Sequence, residues 1–367
     1  MPEGGITRRA GNHRAGRWKP GARNLCVLVL GDSTPYGRAR EAFRGTPGIR
    51  RRSNGEGSGT PPLLLPRCDS SRSYNAGTVI HHHKADTSSG AHPGTIASVL
   101  PEYAKPPVVE VAISVQFEEL AGFSAVHFGL LWEKLRSRYP DTEHHPPLAS
   151  VVELFGSRGA KHASLSIESQ FPIGRCWYLS ADKLRLIQVQ PDRFVLNWRK
   201  LDTDTKYPRY ENLREAFQSE LALFLEFVTK HGLGGFEPTQ CELTYVNHLV
   251  AGQGWQDLRD LPNVIALWSG RASEPYLPDI EDAGLVWQYR FEENSVPVGR
   301  LNVQLQSAFR NSDSARLLNL QLLGRGAPLG SGLDGVLAFT DRAHEWIVRG
   351  FTAITTEHMH RIWERIR

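Results

Sequence analysis

The sequence predicts an α+β protein made of duplicated β-α-β-β-β-α units that form a curved, mostly antiparallel sheet with helices packed on one face. Three observations predict it. Residues Val109, Val111, Ile113, Val115 and Phe117 alternate with Glu110, Ala112, Ser114 and Gln116, the period-two pattern of a half-buried strand. Leu213, Phe217, Leu221, Phe224 and Val228 recur at helical spacing, as do Phe339, Ala343, Trp346 or Ile347, and Phe351. The order strand, helix, three strands, helix then occurs twice, on either side of Gly232–Pro238.

The elements follow in chain order. Pro106-Pro107 precedes the first strand, where a missing N–H is tolerated. Phe128, Leu131, Trp132, Leu135 and Tyr139 form one helical face, and Pro140 ends it. Strands are expected over 175–180, 184–190 and 193–200, with Ala181-Asp182 and Pro191-Asp192 as turns. The helix over 213–228 closes at Gly232, Gly234 and Gly235. The second unit opens with a strand on Cys241, Leu243, Tyr245, Asn247 and Leu249, in which Asn247 breaks the apolar pattern. Residues 255–268 read as weakly helical or irregular. Strands over 285–291, 301–307 and 317–323 follow, then a helix that runs on towards Trp363. The halves are residues 100–235 and 236–367. The short connection between them favours one shared sheet over two separate domains.

Residues 1–99 differ from all of this. They carry 15 Lys+Arg against 6 Asp+Glu, whereas residues 100–367 carry 28 against 33. The whole excess of positive charge therefore sits in a Gly-, Arg-, Ser- and Pro-rich segment that cannot bury enough apolar surface to offset its chain entropy. It reads as a disordered basic tail, or as upstream sequence ahead of a true start near Val99. The remainder, with its acidic balance, repels phosphate on average. Cys26, Cys68, Cys176 and Cys241 form no CxxC pair, so reduced buried thiols in a cytoplasmic protein are expected rather than a disulfide framework or zinc site. No apolar run reaches the roughly 20 residues that span a bilayer, and Leu25–Leu30 is too short for an export signal.

Several runs are distinctive: Leu186-Ile187-Gln188-Val189-Gln190-Pro191-Asp192-Arg193-Phe194, Asn197-Trp198-Arg199-Lys200, Tyr207-Pro208-Arg209-Tyr210 and Glu242-Leu243-Thr244-Tyr245-Val246-Asn247. So are Pro106-Pro107-Val108-Val109-Glu110-Val111 and the ending Asp341, Ala343-His344, Phe351, Thr355-Thr356, Trp363. Together they resemble a sporadically distributed bacterial protein family of unknown function, over residues 100–367. The resemblance implies no activity and no catalytic residues.

Chemical motifs are incomplete. His344-Glu345 begins an HExxH-like string, but Val348 stands where the second zinc ligand belongs. His358 and His360 are two apart on a helix and face different sides. Gly324-Arg325-Gly326 with Gly330 and Gly332 matches neither phosphate-loop spacing and reads as a flexible connector. Asp202 and Asp204 read as solvated loop carboxylates, and Ser331 lies in no nucleophile elbow. No cofactor and no metal is expected.

One feature stands out. Opposite the apolar strand positions, the chain is rich in amides: Gln116, Gln188, Gln190, Asn197, Gln288, Asn302, Gln304, Gln306, Asn319 and Gln321. Amides both donate and accept, so they suit peptide backbone, base edges or a polar ligand. Arg193 and Arg199 flank Asn197 and add anion contacts. The candidate binding residues are Gln188, Gln190, Arg193, Asn197, Arg199, Asn302 and Gln304. The alternative is that these amides bond one another across strands or pack under a loop. Trp198 and Trp287 are stacking platforms on one reading and core residues on the other. Three functions follow. The first is a non-enzymatic binding module for a protein or polar ligand. The second is nucleic-acid binding through the tail or through Arg193 and Arg199. The third is an enzyme whose site is assembled from distant residues such as Asp341, His344 and Arg193.

Overall fold

The structure is a computed structural model that describes residues 99–155, 173–268, 276–310 and 313–367, so the expectations for residues 1–98, with Cys26 and Cys68, lie outside the described residues. Nine strands form one sheet: β1 (Val108–Phe117), β2 (Asp141–His145), β3 (Arg175–Leu179), β4 (Arg185–Gln190), β5 (Arg193–Arg199), β6 (Pro238–Val250), β7 (Gly284–Glu293), β8 (Val296–Phe309) and β9 (Arg316–Gly326). Their order is β2-β3-β4-β5-β1-β6-β9-β8-β7, and every pairing is antiparallel. The run β3-β4-β5-β1 mirrors β7-β8-β9-β6, so each half is the same meander folded back on its own first strand. The two first strands, β1 and β6, pair at the centre and make the sheet continuous.

Helices α1 (Ala125–Leu135), α2 (Tyr210–Lys230) and α4 (Gly332–Ile354) bury their stripes against one face. That face supplies Val111, Ile113 and Val115 from β1, Leu243 and Tyr245 from β6, and Leu318, Leu320 and Leu322 from β9. Free Cys176 and Cys241 are buried in the same layer. Burial raises Cys176 to about 11 and Cys241 further, so both stay protonated thiols at neutral pH. None of the described helices is long and apolar enough to cross a membrane.

The boundaries differ from the sequence reading at β2, at the end of the final helix and at Gly324–Gly326, whereas residues 255–268 are weakly helical and irregular as expected. Strand β2 carries no alternation, because Asp141, Thr142, Glu143 and His144 are all exposed on a sheet edge. The second unit has only a 3-10 turn (Leu258–Asp260) and the four-residue α3 (Leu261–Val264) where the first has α1. The final helix stops at Ile354: Thr355 is extended, and the Thr356 hydroxyl accepts the Met359 N–H to start α5 (Glu357–Ile362). Finally, Gly324-Arg325-Gly326 is the end of strand β9, not a connector. A Cβ at Gly324 would stand 2.8 Å from that of Ala343, so glycine lets α4 lie close against the sheet.

Trp198 is buried in the core and Trp287 packs partly buried against it. Asp202 accepts from the N–H groups of Asp204 and Thr205 as an exposed turn carboxylate.

Candidate functional site

Strand register assembles the second face of the sheet from rows of polar side chains. One row runs Gln190, Arg193, Gln116, Gln240 across β4, β5, β1 and β6. Further along the strands, Asn197, Ala112, Thr244, Leu323, Asn302 and Gln288 form another row across β5, β1, β6, β9, β8 and β7. Alternation dictates both rows, and the same face also carries Ala112, Leu323 and a separate apolar cluster of Trp177, Leu179 and Leu186.

The first row is occupied by the chain itself. Residues 148–153 cross the strands as a strap without strand pairing, and their main-chain groups bond to side chains of the sheet. Gln190 accepts from Leu148 N–H at 2.9 Å and donates to its carbonyl at 3.0 Å. Arg193 donates to the Ala149 carbonyl at 2.9 Å. Gln116 accepts from Val151 N–H and donates to its carbonyl, both at 3.0 Å, and takes the Ser150 hydroxyl at 3.1 Å. Gln240 accepts from Glu153 N–H at 2.8 Å. Five residues of extended chain cover about 17 Å, close to the roughly 14 Å of three inter-strand steps from β4 to β6. The Glu153 carboxylate then anchors the strap on Arg300 and lies 3.9 Å from Arg325.

The seven predicted residues divide between two environments. Gln188, Gln190, Arg193, Asn197 and Arg199 are all buried. Arg175 donates to Gln188 (2.6 Å), Gln188 to Asn197 (2.7 Å) and Asn197 to Glu110 (2.8 Å), a chain that uses the amides on one another. Asn302 and Gln304 lie on the other half and are partly exposed, as are Gln306, Asn319 and Gln321; Gln288, which is exposed, donates to Asn302 at 2.9 Å.

This face holds a concentration of unmet polar atoms. Ser114 Oγ, Thr244 Oγ1, Gln240 Nε2, Glu242 Oε2, Asn302 Nδ2 and Asn319 Oδ1 are buried without a hydrogen-bond partner among the described residues, and so are the Nε atoms of Arg175, Arg193 and Arg199. Buried polar atoms are ordinarily satisfied, so such a cluster calls for water or a ligand. Burial also shapes the charges. It raises Glu110 to about 7 against the pull of Asn197 and Arg199. It lowers Arg175 to about 10, with Arg193 adding to the effect.

The distinctive runs around Pro106, Tyr207, Tyr245 and His344 converge elsewhere, on the helix face. Tyr207, Tyr210, Tyr245, Asn247 and His344 line one pocket with Pro106 and Pro107. The Tyr210 ring lies flat on the His344 imidazole, 3.8 Å between centroids and 6° between planes. His344 Nδ1 is 3.2 Å from the Tyr245 hydroxyl, which is 2.8 Å from that of Tyr207. The Tyr210 hydroxyl donates to Asp341 at 2.6 Å, and Arg214 clamps the same carboxylate through two nitrogens. Asp341 and His344 therefore meet, one turn apart on α4, but Arg193 lies across the sheet and cannot join them. Asn247 was visible in the sequence as an amide at an apolar position, whereas the strap carried no signal.

Comparison with protein families, curated proteins and solved structures finds no match.

Proposed function

We propose that the protein is a non-enzymatic binding module that receives an extended polypeptide across the polar face of its sheet. The observation that carries this reading is the strap. Its carbonyls and N–H groups are taken by Gln116, Gln190, Gln240 and Arg193 side chains rather than by a neighbouring strand. A carboxamide offers a donor and an acceptor side by side, which matches the alternating groups of a peptide main chain whatever its side chains are. Thr244, Asn302, Gln304 and Gln321 repeat that chemistry on the second half, where Thr244 Oγ1 and Asn302 Nδ2 lack partners. A partner segment laid beside the strap meets the same kind of row. The acidic balance of residues 100–367 weighs against nucleic acid for this part of the chain on average.

Selection from a phage-displayed random peptide library on the full chain tests the reading. Selected peptides should bind the parent and lose roughly tenfold or more on Asn302→Ala/Gln304→Ala, the cost of about two hydrogen bonds, at unchanged melting temperature. Equal binding to the double variant counts against the face. Oligonucleotide binding lost on the same variant replaces the polypeptide by nucleic acid.

A further inference from the structure

On the helix face, α2, α4 and residues 100–108 border an open-sided pocket of about 460 Å³, within the range of small-molecule sites. We propose that this pocket binds a small, uncharged, planar aromatic molecule whose polar edge meets His344 and Asn247.

The walls set the shape. Tyr103, Tyr207, Tyr210 and Phe351 line the cavity, with Ile347 and Leu322 as its aliphatic part. Such surfaces favour flat rings in offset or edge-on contact. Asn247 and His344 interrupt them. Asn247 is only 4 % exposed and spends its N–H₂ on the Leu320 carbonyl at 3.1 Å, which leaves its side-chain oxygen as an acceptor. His344 bonds Tyr245 through Nδ1, and its Nε2 has no hydrogen-bond partner among the described residues.

The Tyr207–Tyr245–His344 chain makes that nitrogen adaptable. Each hydroxyl can turn its proton either way. If Tyr245 donates to Nδ1, the imidazole presents Nε2–H; if Nδ1–H donates to Tyr245, it presents a lone pair. A carbonyl and a hydroxyl on the ligand are both accommodated.

The charges argue for a neutral ligand. Glu102 takes Arg367 at 2.8 Å and approaches Arg209 to 3.7 Å, so one carboxylate serves both lining guanidiniums, and Glu211 makes the lining charges two of each sign. Glu211, the remaining charge, is exposed on the first turn of α2. Burial holds His344 well below its usual value, to about 4, so the imidazole is uncharged at neutral pH. The pocket stands on the opposite side of the sheet from the strap and does not depend on the peptide reading.

Fluorescence titration with prodan, a neutral naphthalene ketone, tests the site on the full chain. Saturable binding with a blue-shifted emission is expected. Val348→Trp, which fills the cavity from α4, should weaken binding by more than about tenfold. His344→Phe keeps a ring against Tyr210 and removes the polar edge, and should cost roughly five- to tenfold, the worth of one hydrogen bond. Anilinonaphthalene sulfonate, of similar size but anionic, should bind more weakly than prodan. Asn302→Ala should leave prodan binding unchanged. Absence of saturation, or affinity unchanged from the parent in both pocket variants, overturns the site; tighter binding of the sulfonate overturns the uncharged class.

Discussion

Replacing Gln116 by alanine separates an amide that holds the strap from one that merely fills the sheet. Gln116 makes three contacts to the strap, two to the main chain of Val151 and one to the Ser150 hydroxyl. Each neutral bond contributes about 1 kcal/mol net. The loss is therefore on the order of 1–3 kcal/mol, the upper end being reached if the freed groups stay dry. Because about 1.4 kcal/mol is a factor of ten in an opening equilibrium, the Val151 amide should exchange roughly ten- to a hundredfold faster with deuterium. Amide-resolved hydrogen exchange reads this directly. The Leu148 and Glu153 amides, held by Gln190 and Gln240, report whether the strap lifts as a unit or frays at its middle. Gln116→Glu is the finer probe: it still accepts from Val151 N–H but sets a carboxylate oxygen against the Val151 carbonyl. The reasoning fails if Gln116→Ala lowers global stability in urea while Val151 exchange is unchanged, for the side chain would then serve the core alone.

Three further outcomes follow from the same geometry. Glu110 sits at about 7 in the fold against an ordinary 4.5, so the folded state holds a proton that the unfolded chain has released; its contribution to stability is greatest below about 4.5 and falls as pH rises to 7. Glu110→Gln keeps the acceptor for Asn197 and should stabilise the protein at pH 8 by on the order of 1–3 kcal/mol, with little gain at pH 4, in urea titrations at both pH values. For His344 the sign is reversed: its value of about 4 lies below the ordinary 6.5, so its contribution is complete above 6.5 and is lost as pH falls towards 4. Its imidazole NMR shifts should stay flat from neutral pH down to about 5.5, and a midpoint near 6.5 would contradict the packed Tyr210 stack. Gly324→Ala drives a methyl into Ala343 and should cost about 1–3 kcal/mol by overpacking, seen as a lowered melting temperature.

What could be read from the residues was whatever periodicity records. Leu213, Phe217, Leu221 and Phe224 had to form a helix because their spacing makes one stripe, and they bury against Phe194 and Phe117. The repeat of elements gave two meanders, and the shared centre β1–β6 followed from the short link between them. The start of β1 was misjudged for a physical reason. A register shift between Val108 and Glu110 puts both Val108 and Val111 on the helix side, so strict alternation from Val109 breaks there. The amide face was legible as composition but its use was not. Gln116 and Gln190 are the same residue type as Gln304, yet the first two hold residues 148–151 and the last is partly exposed, because no local pattern says where an irregular segment will settle. Asn247 shows the converse: a polar residue at an apolar position was flagged by its own alternation, and it lines the pocket.

The two sites occupy opposite faces of one sheet, and β6 serves both: Gln240, Glu242 and Thr244 point to the strap side, Tyr245 and Asn247 to the pocket. Alternation places such neighbours on different surfaces without contact between their side chains. Changes at Asn302 on β8 and at Val348 on α4 share no partner, and such substitutions add to within roughly 0.5 kcal/mol. The double variant should therefore lose peptide and prodan binding by the product of the single effects. A coupling well above that limit, with either ligand altering the affinity for the other, would mean that β6 has two arrangements which both sites bias, and the faces would have to be treated as one device.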